Sequence, residues 1–207
     1  AYKQLFSSPE MVRDLVRAYV PDPWLHHLNF ETLEKVPSEF ITHKRGLRRI
    51  SDTIWRIQVE GQWTYLYLLI EFQSTVYGYM PVRMMQYVSL LHQDLLAANH
   101  AWPDGLLPPI LPIVLYCGDT PWNAPTDMAQ LVPPLPPTLS AFDPRLRFWL
   151  IDQGRQHAQG AEENLLTVMM EVAHARNTDE LYRAFEKMRF LLQNNTKLFK
   201  SAKDWLQ

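Results

Sequence analysis

The hydrophobic pattern of this chain changes period several times, and each change predicts an element. Ser8-Pro9 precedes an apolar-polar run from Met11 to Tyr19. Ser8 suits a helix cap and Pro9 a first helical position. Pro21-Asp22-Pro23 then stops that helix. Residues 31–36 suggest a short helical turn, and residues 39–42 a first strand. Runs rich in β-branched and aromatic residues follow over 49–59 and 63–73, with Glu60-Gly61 between them. This is the clearest hairpin signal in the chain. From Pro81, apolar residues Met84, Met85, Val88, Leu91, Leu95 and Leu96 recur mostly at three and four residues, the mark of one buried helix face. Residues 109–116 are almost wholly apolar, as in a strand covered on both sides. A proline-rich excursion over 120–145 leads to a last strand at 147–152. Two amphipathic helices over 162–176 and 179–193 close the pattern, with Thr178 placed to cap the second. The order predicts an α/β layered domain with a mixed sheet. The expected organisation is a domain over 1–155 with a C-terminal helical extension, 156–207, packing on it.

Carboxylates interrupt two of these strands. Asp52 lies in the first hairpin arm, and Glu71 ends the apolar run Tyr65-Leu66-Tyr67-Leu68-Leu69-Ile70 of the second. A carboxylate in a buried strand is costly without a partner or a cation. A two-residue turn at Glu60-Gly61 sets Asp52 opposite Leu69 and diagonal to Glu71. Alternation then puts Asp52, Glu71 and Gln73 on one face, and Leu66, Leu68, Ile70 and Phe72 on the other. Diagonal neighbours lie roughly 7–8 Å apart at Cβ, within reach of one shared cation. Oxygen ligands of this kind suit Mg²⁺ or Mn²⁺ better than Zn²⁺. Two plainer roles compete: Asp52 pairing with Arg48 or Arg49, and Glu71 at an exposed strand end.

Composition narrows the choice only a little. The chain has 207 residues and a formal charge of -2, so a nucleic-acid partner requires a local basic surface. Lys44, Arg45, Arg48 and Arg49 form the one dense basic run, directly upstream of Asp52. Those cations suit phosphate contacts, and equally a solvated loop. A single cysteine, Cys117, excludes an internal disulfide and fits a cytoplasmic setting. Sixteen prolines against 7 glycines mark rigid loops. No apolar run spans a bilayer, so no membrane partner is expected. The chain opens without Met, and the natural protein is expected to continue past one or both ends.

An ordered series of motifs then resembles a known family. Asp52 and Leu69-Ile70-Glu71-Phe72-Gln73-Ser74 are followed by Met80-Pro81-Val82-Arg83 with Tyr87. Pro109-Ile110-Leu111-Pro112-Ile113-Val114-Leu115-Tyr116-Cys117-Gly118, Trp122 and Leu150-Ile151-Asp152 complete the series. Over roughly residues 2–152 the chain is similar to the Rpn family of recombination-promoting nucleases, also described as transposase-like. That family belongs to the PD-(D/E)XK nuclease superfamily. The resemblance implies a PD-(D/E)XK nuclease-like mixed sheet flanked by helices, cutting DNA with a divalent ion, Mg²⁺ or Mn²⁺. It implies Asp52 and Glu71 as metal ligands, and Gln73 as the third catalytic residue where most of the superfamily has Lys. The literal Pro21-Asp22 precedes the hairpin and is assigned to a turn.

Three further residues are accessory candidates. Glu10 opens the first helix, where a carboxylate is also favourable for purely helical reasons. Arg83 and Tyr87 share one helix face and suit phosphate contact or simple packing. The histidines show no ligand spacing, and Cys117 has no sequence partner to make it a nucleophile. The leading expectation is a Mg²⁺-dependent DNA endonuclease linked to recombination, with homodimerisation by analogy. The alternative is a catalytically weak nucleic-acid-binding or interaction module that kept the nuclease fold. An RNA substrate stays open.

Overall fold

A computed structural model describes residues 6–20, 22–36, 53–71, 76–98, 105–118, 120–152, 165–175 and 177–193. Within these, five strands form one sheet in the order β1-β2-β3-β4-β5. They are β1 (Leu28–Lys35), β2 (Thr53–Val59), β3 (Gln62–Glu71), β4 (Ile110–Tyr116) and β5 (Trp149–Asp152). The helices are α1 (Pro9–Tyr19), a single turn α2 (Asp22–Leu25), α3 (Met80–Ala97), α4 (Leu165–His174) and α5 (Thr178–Gln193). The mixed α/β class expected from the pattern is what the chain adopts. By its contacts the chain divides into two compact units, residues 1–33 with 157–207, and residues 34–156.

In the larger unit the hairpin register is the expected one. Val59 faces Gln62 and Thr53 faces Leu68, antiparallel, around Glu60-Gly61. Both turn residues have positive φ, 50° at Glu60 and 84° at Gly61. Such a turn matches the right-handed twist of the strands it joins. Glycine takes this conformation without strain, whereas Glu60 has a Cβ to accommodate. Beside the hairpin, β3 pairs with β4 in parallel, and β4 with β5 in parallel. α3 makes the crossover that a parallel β3–β4 pair requires.

The side of the sheet carrying Ile54, Tyr65 and Val114 packs on Met80, Met84, Tyr87, Leu91 and Leu95 of α3. The opposite side carries Trp55, Ile57, Leu66, Leu68, Ile113, Leu115 and Ile151, all buried. Both faces are therefore covered, which is why β4 reads as continuously apolar. The side of the sheet to which β3 positions 65 and 71 belong by alternation is the side that α3 covers through Tyr65 and Val114.

One local expectation is corrected. Residues 31–36 do not form a helical turn; β1 occupies this stretch, with partly buried Leu28, Phe30 and Thr32 alternating with exposed Asn29 and Glu31. Period two outweighs the helix-compatible Glu and Leu residues, because Glu34 pairs with Arg56 of β2, and Val36 donates its N–H to the Ile54 carbonyl at 3.0 Å. The strand expected at 39–42 lies outside the described residues.

The smaller unit joins α1 to α4 and α5. α1 buries Met11, Val12, Leu15, Val16 and Ala18, one stripe of an amphipathic helix. Ser8 takes the cap position and Pro9 the first turn, but the Ser8 hydroxyl donates to the Glu10 carboxylate instead of accepting a backbone N–H. α4 and α5 bury Leu166, Val168, Met169, Ala184 and Met188, and Lys187 bonds the Glu171 carboxylate at 2.9 Å. Asn177, not Thr178, caps α5: its side-chain oxygen accepts the Glu180 N–H at 2.9 Å. Asn competes well for a cap because its short amide reaches the third helical N–H. Among the described residues, no helix is long and apolar enough to cross a membrane.

The turn yields a stability test. Gly61→Ala is expected to cost about 1–2 kcal/mol, because it forces a Cβ into left-handed backbone. Glu60→Asn is expected to shift stability the other way by a few tenths of a kcal/mol, since Asn tolerates positive φ. Urea midpoints at constant slope would check both. Equal midpoints for Gly61→Ala and the unmodified chain would contradict the turn geometry.

Candidate active site

The carboxyl ends of β3, β4 and β5 come together in one register row: Glu71 beside Tyr116, and Tyr116 beside Asp152. In open α/β sheets, ligands bind outside the carboxyl ends of parallel strands. By strand alternation the positions of Tyr65 and Glu71 belong to one side of the sheet. That side is the one α3 covers lower down, through Tyr65 and Val114. The chain leaves β3 at this end and enters α3 at Met80.

Tyr116 is the fixed centre of the row. Its side chain is fully buried, and its hydroxyl lies 3.1 Å from the Thr120 hydroxyl. The Trp122 ring meets it edge-on at 5.2 Å, and Phe148 meets Trp122 at 6.1 Å. Gly118 makes room for the tyrosine: a Cβ there would lie 2.2 Å from the Tyr116 hydroxyl oxygen and 2.4 Å from the ring. No side chain fits in that space, so Gly118 and Tyr116 are a matched pair.

Asp152 is 8% exposed, and its carboxylate accepts the Trp122 backbone N–H at 2.9 Å. This bond ties the start of the proline-rich excursion to the end of β5. Trp122 in turn donates its indole N–H to the Ala124 carbonyl at 2.8 Å. Further along, Asp127 caps a short 3₁₀ turn and pairs with Arg147 at 2.9 Å. The Ala129 backbone N–H, and then Arg147, hold the Asp127 carboxyl below its usual range. The excursion is thus fastened at both ends.

Sequence reasoning assigned Asp152 no role. The signal that singled out Glu71, a carboxylate at the end of an apolar strand, applies to Asp152 equally. What the sequence lacked was the parallel register that places it in the Glu71 row.

The other expected residues divide as follows. Glu71 is the last residue of β3. Asp52 and Gln73 lie outside the described residues, as do Lys44, Arg45, Arg48 and Arg49. Arg83 sits in the first turns of α3 with its guanidinium 4.0 Å from the Tyr77 ring centre. Tyr87 is 6% exposed and packs in the core under α3. Glu10 belongs to the smaller unit and accepts the Ser8 hydroxyl. His92 bonds the Pro108 carbonyl at 3.0 Å, a structural use of an imidazole.

Burial, and then the Asp152 charge, push the Cys117 thiol up to about 12. At neutral pH it is a protonated, inert side chain.

The sequence has relatives. A family model described as "Putative transposase, YhgA-like" matches residues 1–203. The chain belongs to this family. It is 33% identical over 119 residues to "Recombination-promoting nuclease RpnA" of Escherichia coli K12, covering 56% of this chain and 38% of that protein. It is 30% identical over 120 residues to "Recombination-promoting nuclease RpnC" of the same strain, covering 57% and 38%. It is also 29% identical over 123 residues to "Inactive recombination-promoting nuclease-like protein RpnE", covering 58% and 38%. The resemblance to the Rpn family is therefore borne out. The match spans well under half the length of these relatives. No solved structure matches the chain.

The cysteine supplies a pH test. With its thiol near 12 rather than the ordinary 9.0, Cys117 carries about 1000-fold less thiolate than a free cysteine around pH 7–8. Alkylation by iodoacetamide is expected to be slower by at least that factor, and to become ordinary on unfolding in urea. Fast labelling of the folded chain at pH 7.5 would overturn the assignment.

Proposed function

We propose that this chain is a metal-dependent nuclease domain that cleaves DNA in a recombination-related process. The observation that carries the reading is the register. The hairpin pairs as its sequence requires, and Glu71 stands at the carboxyl end of a parallel β3–β4–β5 row. In the expected register Asp52 is diagonal to Glu71, so the two carboxylates form one hard-oxygen donor set. That set suits Mg²⁺ or Mn²⁺. Such an ion supplies Lewis-acid polarisation of a phosphoryl oxygen and a bound water of lowered pKa.

The chain's own groups do the rest. Asp52 and Glu71 would hold the cation. Gln73 has no charge and titrates nowhere near neutrality, so its part is to orient water or hydrogen-bond a phosphate oxygen. Arg83 offers the planar donor fork that suits phosphate. The fold is read as PD-(D/E)XK-like: a hairpin whose two arms carry the acidic residues, followed by a helix and a parallel strand. Relatives named recombination-promoting nucleases support the activity. DNA is the proposed partner, with a homodimer where both strands are cut, in the cytoplasm.

A second reading has its own support. One relative of comparable identity is named inactive. A chain that kept the fold and lost the chemistry would bind nucleic acid without cutting it.

Cleavage of supercoiled plasmid with Mg²⁺, and its loss with EDTA, separates the two. Asp52→Asn and Glu71→Gln are each expected to abolish cutting while circular dichroism and melting stay unchanged. The double variant should lose little beyond either single one, because both groups act through one ion. Full cleavage by Asp52→Asn would remove that residue from the mechanism. EDTA-insensitive cleavage would remove the metal.

The basic run bears on affinity. Each phosphate contact adds about 0.9 to the slope of log K against log salt. Replacing Lys44 and Arg45 with Ala should flatten that slope by roughly 2 and weaken binding to all sequences. Single-turnover cutting at saturating DNA should hold. An unchanged slope would mean that these cations do not touch DNA.

A further inference from the structure

The short connection between β3 and α3 carries Tyr77, Gly78 and Tyr79. Tyr79 is 62% exposed and Tyr77 39%. Their ring centres lie 6.3 Å apart with planes crossing at 67°, an edge-to-face contact. The Arg83 guanidinium covers the Tyr77 ring at 4.0 Å. One isolated exposed tyrosine needs no explanation. Here two touch each other, one is capped by a cation, and both stand on the chain that leaves the Glu71 end of β3.

The stem beneath these rings is held. The Tyr77 carbonyl accepts the Met80 N–H at 3.2 Å, and the Tyr79 carbonyl accepts those of Val82 and Arg83 at 3.1 and 3.3 Å. Met80 and Met84 are fully buried and anchor the first turn of α3 in the core. An exposed ring on a fixed stem loses little freedom when it binds. Tyr77 lies six residues past Glu71, so the connecting chain spans at most roughly 20 Å. A few nucleotides of single strand bridge that distance.

Chemistry selects the occupant. An aromatic face beside a guanidinium fits a base on the ring and the adjoining phosphate on the cation. Within a duplex the bases are stacked on each other and present no free face. We propose that Tyr79, buttressed edge-on by Tyr77 and through it by Arg83, is a stacking platform for an unpaired base of a DNA strand entering the site. Arg83 has two uses: it fixes Tyr77 and meets the neighbouring phosphate. The inference rests on the nuclease reading of the Glu71 end and deepens it, because it names the substrate class as DNA with unpaired bases.

Binding in EDTA tests the platform without any cleavage. The probe is a single-stranded oligonucleotide carrying 2-aminopurine, followed by anisotropy and by the probe's own fluorescence, with its full duplex as reference. The unmodified chain should bind the single strand in preference and quench 2-aminopurine. Tyr79→Ala should weaken single-strand binding roughly 5- to 150-fold and abolish the quench. Duplex binding should move less than about twofold, since a base-stacking loss has no counterpart there. Tyr79→Phe keeps the ring and should keep the quench. Tight single-strand binding without quench, equal affinity of Tyr79→Ala and the unmodified chain, or equal loss on duplex would each overturn the platform. So would the absence of single-strand binding by the unmodified chain. The nuclease reading fails separately: a chain that stacks the base through Tyr79 yet never cuts plasmid loses the nuclease function and keeps the platform. Plasmid cutting with an unaltered Tyr79→Ala does the reverse.

Discussion

A two-residue turn with positive φ at both Glu60 and Gly61 governs the rest of the larger unit. It allows one register, with Val59 against Gln62 and Thr53 against Leu68. A slip of one residue would turn every side chain of one arm to the opposite face. For the first arm, Trp55 and Ile57 would leave the side on which they are buried, and Ile54 would leave the packing against α3. Fully burying one such side chain contributes about 1.5–3 kcal/mol, so a slipped register puts at risk an energy comparable to typical domain stability. The same alternation decides which side of the sheet the carboxylates take. Core and candidate chemistry therefore share one constraint.

The second organising feature is the parallel β3–β4–β5 row and the clamp built on it. Tyr116 fills the space that Gly118 vacates, Trp122 packs on Tyr116, and Asp152 holds the Trp122 N–H. Through these contacts the proline-rich excursion becomes part of the sheet end. Prolines limit the unfolded freedom of the excursion, while the clamp specifies where it goes. The exposed aromatic pair before α3 belongs to the same unit, on the connection that follows Glu71.

Electrostatics explains why these acidic groups stand where they do. Carboxylates inside a two-sided sheet would be costly, and strand ends are the cheapest place to keep them near an apolar core. Asp152 gains a backbone donor there. Burial, and then the Asp152 charge, raise the Cys117 thiol pKa. Arg56 and Arg17 lie over Trp63 and Phe30 rings, as Arg83 lies over Tyr77. Guanidinium–aromatic stacking is a repeated device in this chain, and among these three examples only Tyr77 under Arg83 stands on the connection that leaves the Glu71 end.

Local chemistry alone determined much of this protein. The hairpin register was legible because two-residue turns and strand alternation act over a few residues. α3 was legible from its three-and-four spacing, and β4 from its unbroken apolar run. Glu71 stood out because a carboxylate ending such a strand needs a reason. Tertiary structure decided what depends on distant partners. The sequence of residues 31–36 permits a helical turn or a strand, and pairing with β2 near Arg56 and Ile54 chose the strand. Asn177 displaced Thr178 as a cap through a one-residue shift in the start of α5. Tyr87 is core because α3 presses that helix face onto Tyr65 and Val114. Asp152 joins the Glu71 row only through parallel pairing across β4, between residues far apart in sequence. Such long-range registers are set by the packing of whole elements, and no local pattern encodes them.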